Sequence, residues 1–100
     1  MINDINVIYQ FWLEPESETV EQGLALTMPI VKQCEDFSES IGILCMCDHI
    51  GVFNGKFHIR IQFNIHAPQN IVLHKMAALF SFAAIHKLLF RNQFFLSKEE

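Results

Sequence analysis

The chain has 100 residues, of which 51% are apolar and only 18% charged, and its formal net charge at pH 7 is −4. This length predicts one domain, so we expect no second one, and the charged fraction lies below the usual value of about 25%. So much apolar material, including ten Phe, is more than a small monomer easily buries, and we therefore expect a surface for self-association or for a partner.

The charges are segregated along the chain. Nine acidic residues and one Lys lie in the first 48 positions, whereas positions 49–98 contain six Lys or Arg, all five His and no acidic residue. A folded domain of this kind has an acidic surface on one element and a basic, histidine-bearing surface on others. Such polarity suits docking to another macromolecule or to a second copy.

Targeting signals and cysteines suggest a compartment. The N-terminus has no basic stretch followed by an apolar run, so we expect no signal peptide. The most apolar stretch, 76–85, is far shorter than the roughly 20 residues of a membrane-spanning helix. Three cysteines are an odd number that fits reduced thiols better than a disulfide framework. We expect a cytoplasmic protein that does not enter a membrane.

The first predicted element is a strand over residues 4–13. Apolar side chains at Ile5, Val7, Tyr9, Phe11 and Leu13 alternate with mostly polar neighbours. This period of two is typical of a strand with one buried face. Pro15 is expected to end it.

A helix is predicted from about residue 18 to residue 39. Ser17 or Thr19 can cap its start, Gln22 follows three residues after Thr19, and carboxylates favour the positive end of a helix dipole. Pro29 predicts a bend or two collinear helices. In projection, one broad arc is apolar and contains Val20, Leu24, Leu26, Met28, Ile30, Val31, Cys34 and Phe37. The alternative makes 23–28 a strand and begins the helix at Pro29, which gives two ββα units in tandem.

The dipeptide Asn54-Gly55 predicts a two-residue hairpin turn of type I′. The register that follows pairs apolar residues on one face: Val52 with Phe57, Ile50 with Ile59, Met46 with Phe63 and Leu44 with Ile65. The other face pairs Gly51 with His58, His49 with Arg60, Cys47 with Gln62 and Cys45 with Asn64. Asp48 does not fit, since it falls on the apolar face. Either a β-bulge turns it outward, or it is a partnered polar group in the core.

After Pro68 the pattern predicts a long, widely apolar helix from about Gln69 to Phe90, which Asn92 could end. Residues 93–97 then form a short edge strand. The predicted fold is a small single-domain α+β structure, an antiparallel sheet with two helices on one face. Its order is βαββα, or the ferredoxin-like βαββαβ if the last strand forms.

Candidate sites for chemistry are weak. Cys45, Cys47 and His49 are predicted to share a strand face with His58, but residues two apart on a strand diverge too far for a usual zinc site. We predict no metal or other cofactor and no catalysis, because phosphate loops, dinucleotide motifs and activated nucleophiles are absent. Direct binding of nucleic acid is not expected either, because the basic residues are sparse and the sequence pI is about 5.7.

Two surfaces are candidates for binding another protein. One is the second sheet face, where an aromatic and an Arg lie among smaller groups, as at interface hot spots. The alternative is an ordinary solvated face whose Trp12 the C-terminal segment partly covers. The other surface is the acidic stretch after the first strand, which is either a solvated helix start or a negative surface that occupies a basic groove of a target. The predicted partner-binding residues are Trp12, Glu16, Glu18, Glu21, His49, His58, Arg60 and Gln62.

We therefore expect a small protein-binding protein, an inhibitor or immunity-type protein that neutralises a toxin, nuclease or defence complex by direct contact. The alternative is a self-associating, homodimeric domain with a structural or small-ligand-binding role, whose interface is the same sheet face or the long apolar helix.

Overall fold

The computed structural model describes residues 4–86 and the backbone of residues 95–99. Its elements are β1 (Asp4–Leu13), α1 (Val20–Ile41), β2 (Leu44–Phe53), β3 (Lys56–Pro68), α2 (Gln69–Ile85) and β4 (Phe95–Glu99). The strands form one antiparallel sheet in the order β2-β3-β1-β4. The predicted α+β class and the βαββα order are confirmed, and β4 extends that order to the ferredoxin-like βαββαβ.

The core lies on one face of the sheet. Alternate residues of β1 and β3 are buried there, including Phe11, Phe57 and Phe63. Both helices cover this face. Tyr9 of β1 meets Phe80 of α2 edge to face at a ring distance of 5.2 Å, and Phe37 of α1 stacks on Phe82 of α2 at 4.2 Å. The opposite face of the sheet, here called the open face, carries the even-numbered residues of β1 and β3.

The hairpin forms as predicted at its turn but not along its whole length. Asn54 and Gly55 both have positive φ, at 52° and 74°, and Val52 pairs with Phe57. The register then shifts between Gly51 and Asp48. His49 and Ile50 together occupy the place of one residue, with His49 at a φ of 53°, which makes this a β-bulge.

The bulge reverses the two faces of the first half of β2. Asp48 turns outward and pairs with Arg60, as one of the two alternatives predicted. Leu44 and Met46 also turn to the open face, opposite Asn64 and Gln62, whereas Cys45 and Cys47 turn to the helix side, opposite Phe63 and Ile61. The predicted pairing of Ile50, Met46 and Leu44 on the buried face was wrong, because a single extra residue exchanges the faces of all that precede it.

Helix α1 is continuous through Pro29, so the tandem ββα alternative is wrong. Thr19 caps it as predicted, since its side chain accepts a hydrogen bond from Gln22 N at 3.1 Å. Pro29 is tolerated because it and Ala25 are both exposed. The carbonyl that lacks its helical hydrogen bond, that of Ala25, can therefore meet water.

The buried side of α1 is made of small residues. Gly23, Thr27 and Ser38 are buried there with Val31 and Cys34. The large apolar residues Val20, Leu26 and Met28, predicted to face the core, are exposed. The reason is the close approach of α1 to β3: a Cβ at Gly23 would lie 2.1 Å from the Phe57 ring.

Helix α2 runs from Gln69 to Ile85 and is apolar on its outer side too, where Leu73 and Ile85 are 57% and 76% exposed. The predicted continuation to Phe90 and the end at Asn92 lie outside the described residues. A C-terminal strand is present as β4, Phe95–Glu99, antiparallel to β1, whereas the prediction gave residues 93–97.

Candidate protein-binding surface

The open face carries a group of polar and aromatic side chains at the end of the sheet nearest the hairpin turn. Trp12 lies opposite Arg60 across β1 and β3, and Arg60 lies opposite Asp48 across β3 and β2. The Trp12 ring is 5.9 Å from the His49 ring and 5.9 Å from the His58 ring. Three strands and the bulge therefore bring these five residues together, and we call them the Trp12 cluster.

His49 belongs to this cluster because of the β-bulge, which the alternation of side chains along β2 does not predict. The predicted register placed it directly opposite Arg60, but the position opposite Arg60 belongs to Asp48. His49 lies in the bulge, and its positive φ accompanies a ring position beside Trp12. A non-glycine residue with this backbone is uncommon, and such residues gather at functional positions.

The Asp48–Arg60 pair is bidentate. Arg60 Nε donates to Asp48 Oδ1 at 2.7 Å and Arg60 Nη2 donates to Asp48 Oδ2 at 2.5 Å. The planar fork of a guanidinium matches a carboxylate in this way and fixes both side chains. The arginine is therefore held in one orientation beside Trp12, with 21% of its side chain exposed.

We expect the pKa of Asp48 to lie below its ordinary value near 3.8, because the Arg60 hydrogen bonds stabilise the carboxylate. A carboxyl whose folded pKa is depressed stabilises the fold above its unfolded pKa and loses that contribution as the pH falls through the folded pKa. The loss of stability therefore appears only below about pH 4. A pH titration followed by NMR of the side-chain carboxyl carbon measures the pKa of Asp48. In Arg60→Gln the Asp48 pKa should return towards 3.8, and an unchanged value would contradict the paired geometry.

The acidic segment, residues 14–21, divides between two sides of the molecule. Phe57 N donates to Pro15 O at 3.0 Å and Ser17 N to Gly55 O at 3.1 Å, and Glu16 forms an isolated bridge with Lys56. This continues the register of β1 on β3 beyond Leu13, so Glu16 lies on the open face in line with Trp12. Glu21, in contrast, lies in the first turn of α1, in the helix layer on the other side of the sheet.

Among the predicted partner-binding residues, Trp12, Glu16, His49, His58, Arg60 and Gln62 thus belong to the open face, whereas Glu18 and Glu21 do not. Gln62 lies one pair further along and accepts a hydrogen bond from Gln10 Nε2 at 3.0 Å.

Sequence reasoning missed Phe53. This residue lies directly before the turn, pairs with Lys56 and is 70% exposed. It belongs to the same end of the open face as Trp12, since Gly51 pairs with His58 two residues earlier. The sequence did contain a signal for Phe53. In the register that the Asn54-Gly55 turn predicts, the pair next to Val52 and Phe57 is Phe53 with Lys56, and adjacent pairs point to opposite faces of the sheet. We use the name Trp12 surface for the Trp12 cluster together with Phe53 and Glu16.

The cysteines are not part of this surface. Cys45 and Cys47 lie half-buried under α1 near Cys34, on the opposite side of the sheet from the Trp12 cluster. The predicted shared face for Cys45, Cys47 and His49 was therefore wrong, because the bulge exchanges the faces of the residues that precede it. In residues 4–86, no group of three or more His, Cys, Asp or Glu is placed to hold a metal ion.

Burial, followed by the charges of neighbouring groups, raises the pKa of the Cys34 and Cys45 thiols from 9.0 to about 12. Above pH 9 the unfolded chain loses these protons while the folded chain keeps them, so the unfolded state is favoured. We expect the free energy of unfolding to fall between pH 9 and about 12, with burial of Tyr9 acting in the same direction. Urea unfolding at several pH values across this range, in the presence of reductant, measures this change in the free energy of unfolding. In Cys34→Ala the free energy of unfolding should fall less steeply with pH. A fall as steep as that of the wild-type protein would contradict the burial of this thiol.

These features define a class: a small α+β domain with both helices on one face of its sheet and a partly ordered polar and aromatic surface on the other. In the described part of the chain, no helix is long and apolar enough to cross a membrane.

Comparisons with known proteins add the following. No protein-family model matches the chain, and no curated protein is similar to it in sequence. Among solved structures, the chain is similar to the de novo designed protein Foldit4 at 12% identity and a TM-score of 0.39, covering 98% of this chain and 97% of that one. It is also similar to the de novo designed protein Ferredog-Diesel, at 8% identity and a TM-score of 0.36, covering 97% and 84% respectively.

Proposed function

We propose that this chain is a non-catalytic protein-binding domain, an inhibitor or immunity-type protein that neutralises a toxin, nuclease or defence complex by direct contact through the Trp12 surface. The observation that carries the proposal is Trp12 beside the bidentate Asp48–Arg60 pair, with exposed Phe53 at the same end of a sheet face that neither described helix covers. Trp and Arg are the residues that most often dominate binding energy at protein interfaces.

Part of the Trp12 surface is held by its own contacts before binding. The bidentate pair fixes Arg60, and the His49 and His58 rings lie at equal distances from Trp12. A surface whose side chains are already held loses less conformational entropy on association. The aromatic rings supply apolar area and the Asp48–Arg60 pair supplies directional hydrogen bonding, which is the composition of a hot spot with a polar surround.

Charge gives the proposal its target class. Glu16 is exposed and borders the Trp12 cluster on the open face, whereas Glu18 and Glu21 lie outside this face. A negative charge at this border attracts a basic surface, such as a groove that binds nucleic acid, and speeds association at low salt. Occupation of that groove by the Trp12 surface would block the target.

Charge reversal tests the proposal against its own geometry. We expect Glu16→Lys to weaken capture of the partner from the host lysate and to make the remaining binding less sensitive to salt. Glu21→Lys is the matched control, since it makes the same charge change in the helix layer and should have a much smaller effect. Equal retention of the same partner by both variants would contradict the role of Glu16.

A second candidate function is self-association, favoured by the apolar side chains that remain exposed on the described residues. Leu73 and Ile85 on α2 and Leu44 and Met46 on the open face are each about half exposed or more. A homodimer would cover one of these sets, either by packing two open faces together or by packing α2 against its copy. Sedimentation of the purified protein distinguishes this candidate, since it requires a dimer without any other component.

A further inference from the structure

Strand β2 forms one edge of the sheet, and the described part of its outer side lacks the groups that usually protect such an edge. Natural edge strands carry Lys, Pro or inward-pointing charges that prevent another strand from pairing. The stretch Leu44–Asp48 contains no Lys, Arg, Glu or Pro, and Asp48 is held by Arg60. The bulge interrupts the strand only after Asp48. In the part of the chain that the structure describes, no strand pairs with the outer side of this stretch, so its backbone is open to an added strand.

Both faces of this edge offer apolar side chains. Leu44 and Met46 are 63% and 48% exposed on the open face. Cys45 and Cys47 are half-buried on the helix side, under α1. A strand added along Leu44–Asp48 would cover side chains on both faces at once, and its main chain would satisfy the free backbone groups. We call this stretch the β2 edge.

The helix flank above the β2 edge is acidic. The Glu35 carboxylate is close enough to raise the pKa of both Cys45 and Cys47, although burial is the larger cause. Glu39 follows one turn later on the same flank and is exposed. In the described residues neither glutamate has a basic partner, because Lys32 is paired with Asp36. A strand at this edge would therefore meet negative charge on its helix side and apolar groups on the other.

We propose that the β2 edge binds an extended segment of a partner protein in which apolar residues alternate with Lys or Arg. Alternate side chains of a strand point to opposite faces. The apolar residues would pack on Leu44 and Met46, and the basic residues would face Glu35 and Glu39. The main-chain hydrogen bonds supply affinity and the alternation supplies specificity. This site adjoins the Trp12 surface, with which it shares Asp48, and goes beyond the function proposed for that surface.

A second copy of the chain fits the same edge less well. Antiparallel pairing of two β2 edges about a twofold axis, centred on Met46, would make one continuous sheet with the helices of both copies on the same face. The two α1 helices would then lie side by side, because α1 covers β2 in each copy. Glu35 and Glu39 of one copy would face the same residues of the other, and like charges at close distance repel. Charge therefore selects a basic segment over a copy.

Panning a library of random linear peptides, displayed on phage, against the full-length protein in reductant tests the proposal. We expect enriched peptides that alternate apolar residues with Lys or Arg, and weaker binding of these peptides as salt increases. The double variant Glu35→Lys, Glu39→Lys should weaken their binding at least about tenfold. Met46→Lys, which charges the edge without disturbing the core, should do the same. Glu21→Lys, in the first turn of the same helix, is the control and should change binding by less than about threefold.

Three results would overturn the proposal: no enrichment of basic alternating peptides, binding that survives both Met46→Lys and the double reversal, or a protein dimer that strengthens with salt and is lost in Met46→Lys. The last result would assign the edge to a second copy. Trp12→Ala separates this site from the Trp12 surface, since the peptides should bind that variant normally even if partner capture is lost.

Discussion

Replacing Gly23 by Ala should lower the free energy of unfolding by about 2 kcal/mol, within the usual range for overpacking a core. This is opposite to the ordinary effect in a helix, where Ala is favoured over Gly by about 1 kcal/mol. The cause is steric: a Cβ at this position would lie 2.1 Å from ring carbons of Phe57 and 2.6 Å from its Cβ. Phe57 is completely buried and cannot move aside without displacing its own neighbours.

Urea unfolding with circular dichroism measures this change. Ala25→Gly, at an exposed position of the same helix, measures the effect of helix propensity alone and should lower the free energy of unfolding by about 1 kcal/mol. In a Phe57→Ala background, Gly23→Ala should lose part of its effect, since the two ring carbons nearest to the new methyl group are removed and only the contact with the Cβ of residue 57 remains. If Gly23→Ala instead stabilises the wild-type protein, α1 does not approach β3 as closely as described.

Replacing Trp12 by Ala should reduce the affinity for the partner by about 2 kcal/mol, roughly 30-fold in Kd, while the protein remains folded. Trp12 lies at the centre of the Trp12 cluster, with Arg60 opposite and the two histidine rings beside it. Its removal deletes the largest aromatic surface and also leaves both imidazoles without their aromatic neighbour. Calorimetry with the captured partner measures the change.

Leu73→Ala is the matched control for Trp12→Ala. Leu73 is a large apolar side chain, 57% exposed, on the helix side of the sheet, so its loss should leave the affinity unchanged. Trp12→Phe should recover part of the lost affinity because an aromatic ring returns to the same place. If Leu73→Ala weakens binding as much as Trp12→Ala does, the partner contacts the helix layer and the Trp12 surface is not the binding site.

Local chemistry explains which parts of the fold the sequence predicts. The first strand follows from strict alternation, the turn from Asn54-Gly55 and the helix start from Thr19 and Gln22. Each of these signals acts over a few residues, and each is confirmed. The faces of β2 could not be predicted in the same way, because the bulge at His49 accompanies contacts of Asp48 and His49 with Arg60 and Trp12, which are distant in the sequence.

Helix α1 illustrates a second limit. Its hydropathy directs Leu26 and Met28 inward, yet the sheet accepts the side with Gly23 and Thr27 because Phe57 fills the space. Volume complementarity between distant elements decides the rotation of the helix, and hydropathy does not contain it. The open face was predicted largely correctly for the opposite reason: β1 and β3 have no bulge, so alternation alone assigns Trp12, His58, Arg60 and Gln62 to one face.

The central claim is that this chain binds another protein through charge and an aromatic surface. Native mass spectrometry of the untagged protein, purified from its own host at several salt concentrations, tests it most directly. We expect a complex with one other protein that dissociates as salt increases, and a Glu16→Lys protein that enters this complex less readily. A bare monomer or a bare dimer at every salt concentration would contradict the claim, and the dimer would support self-association instead.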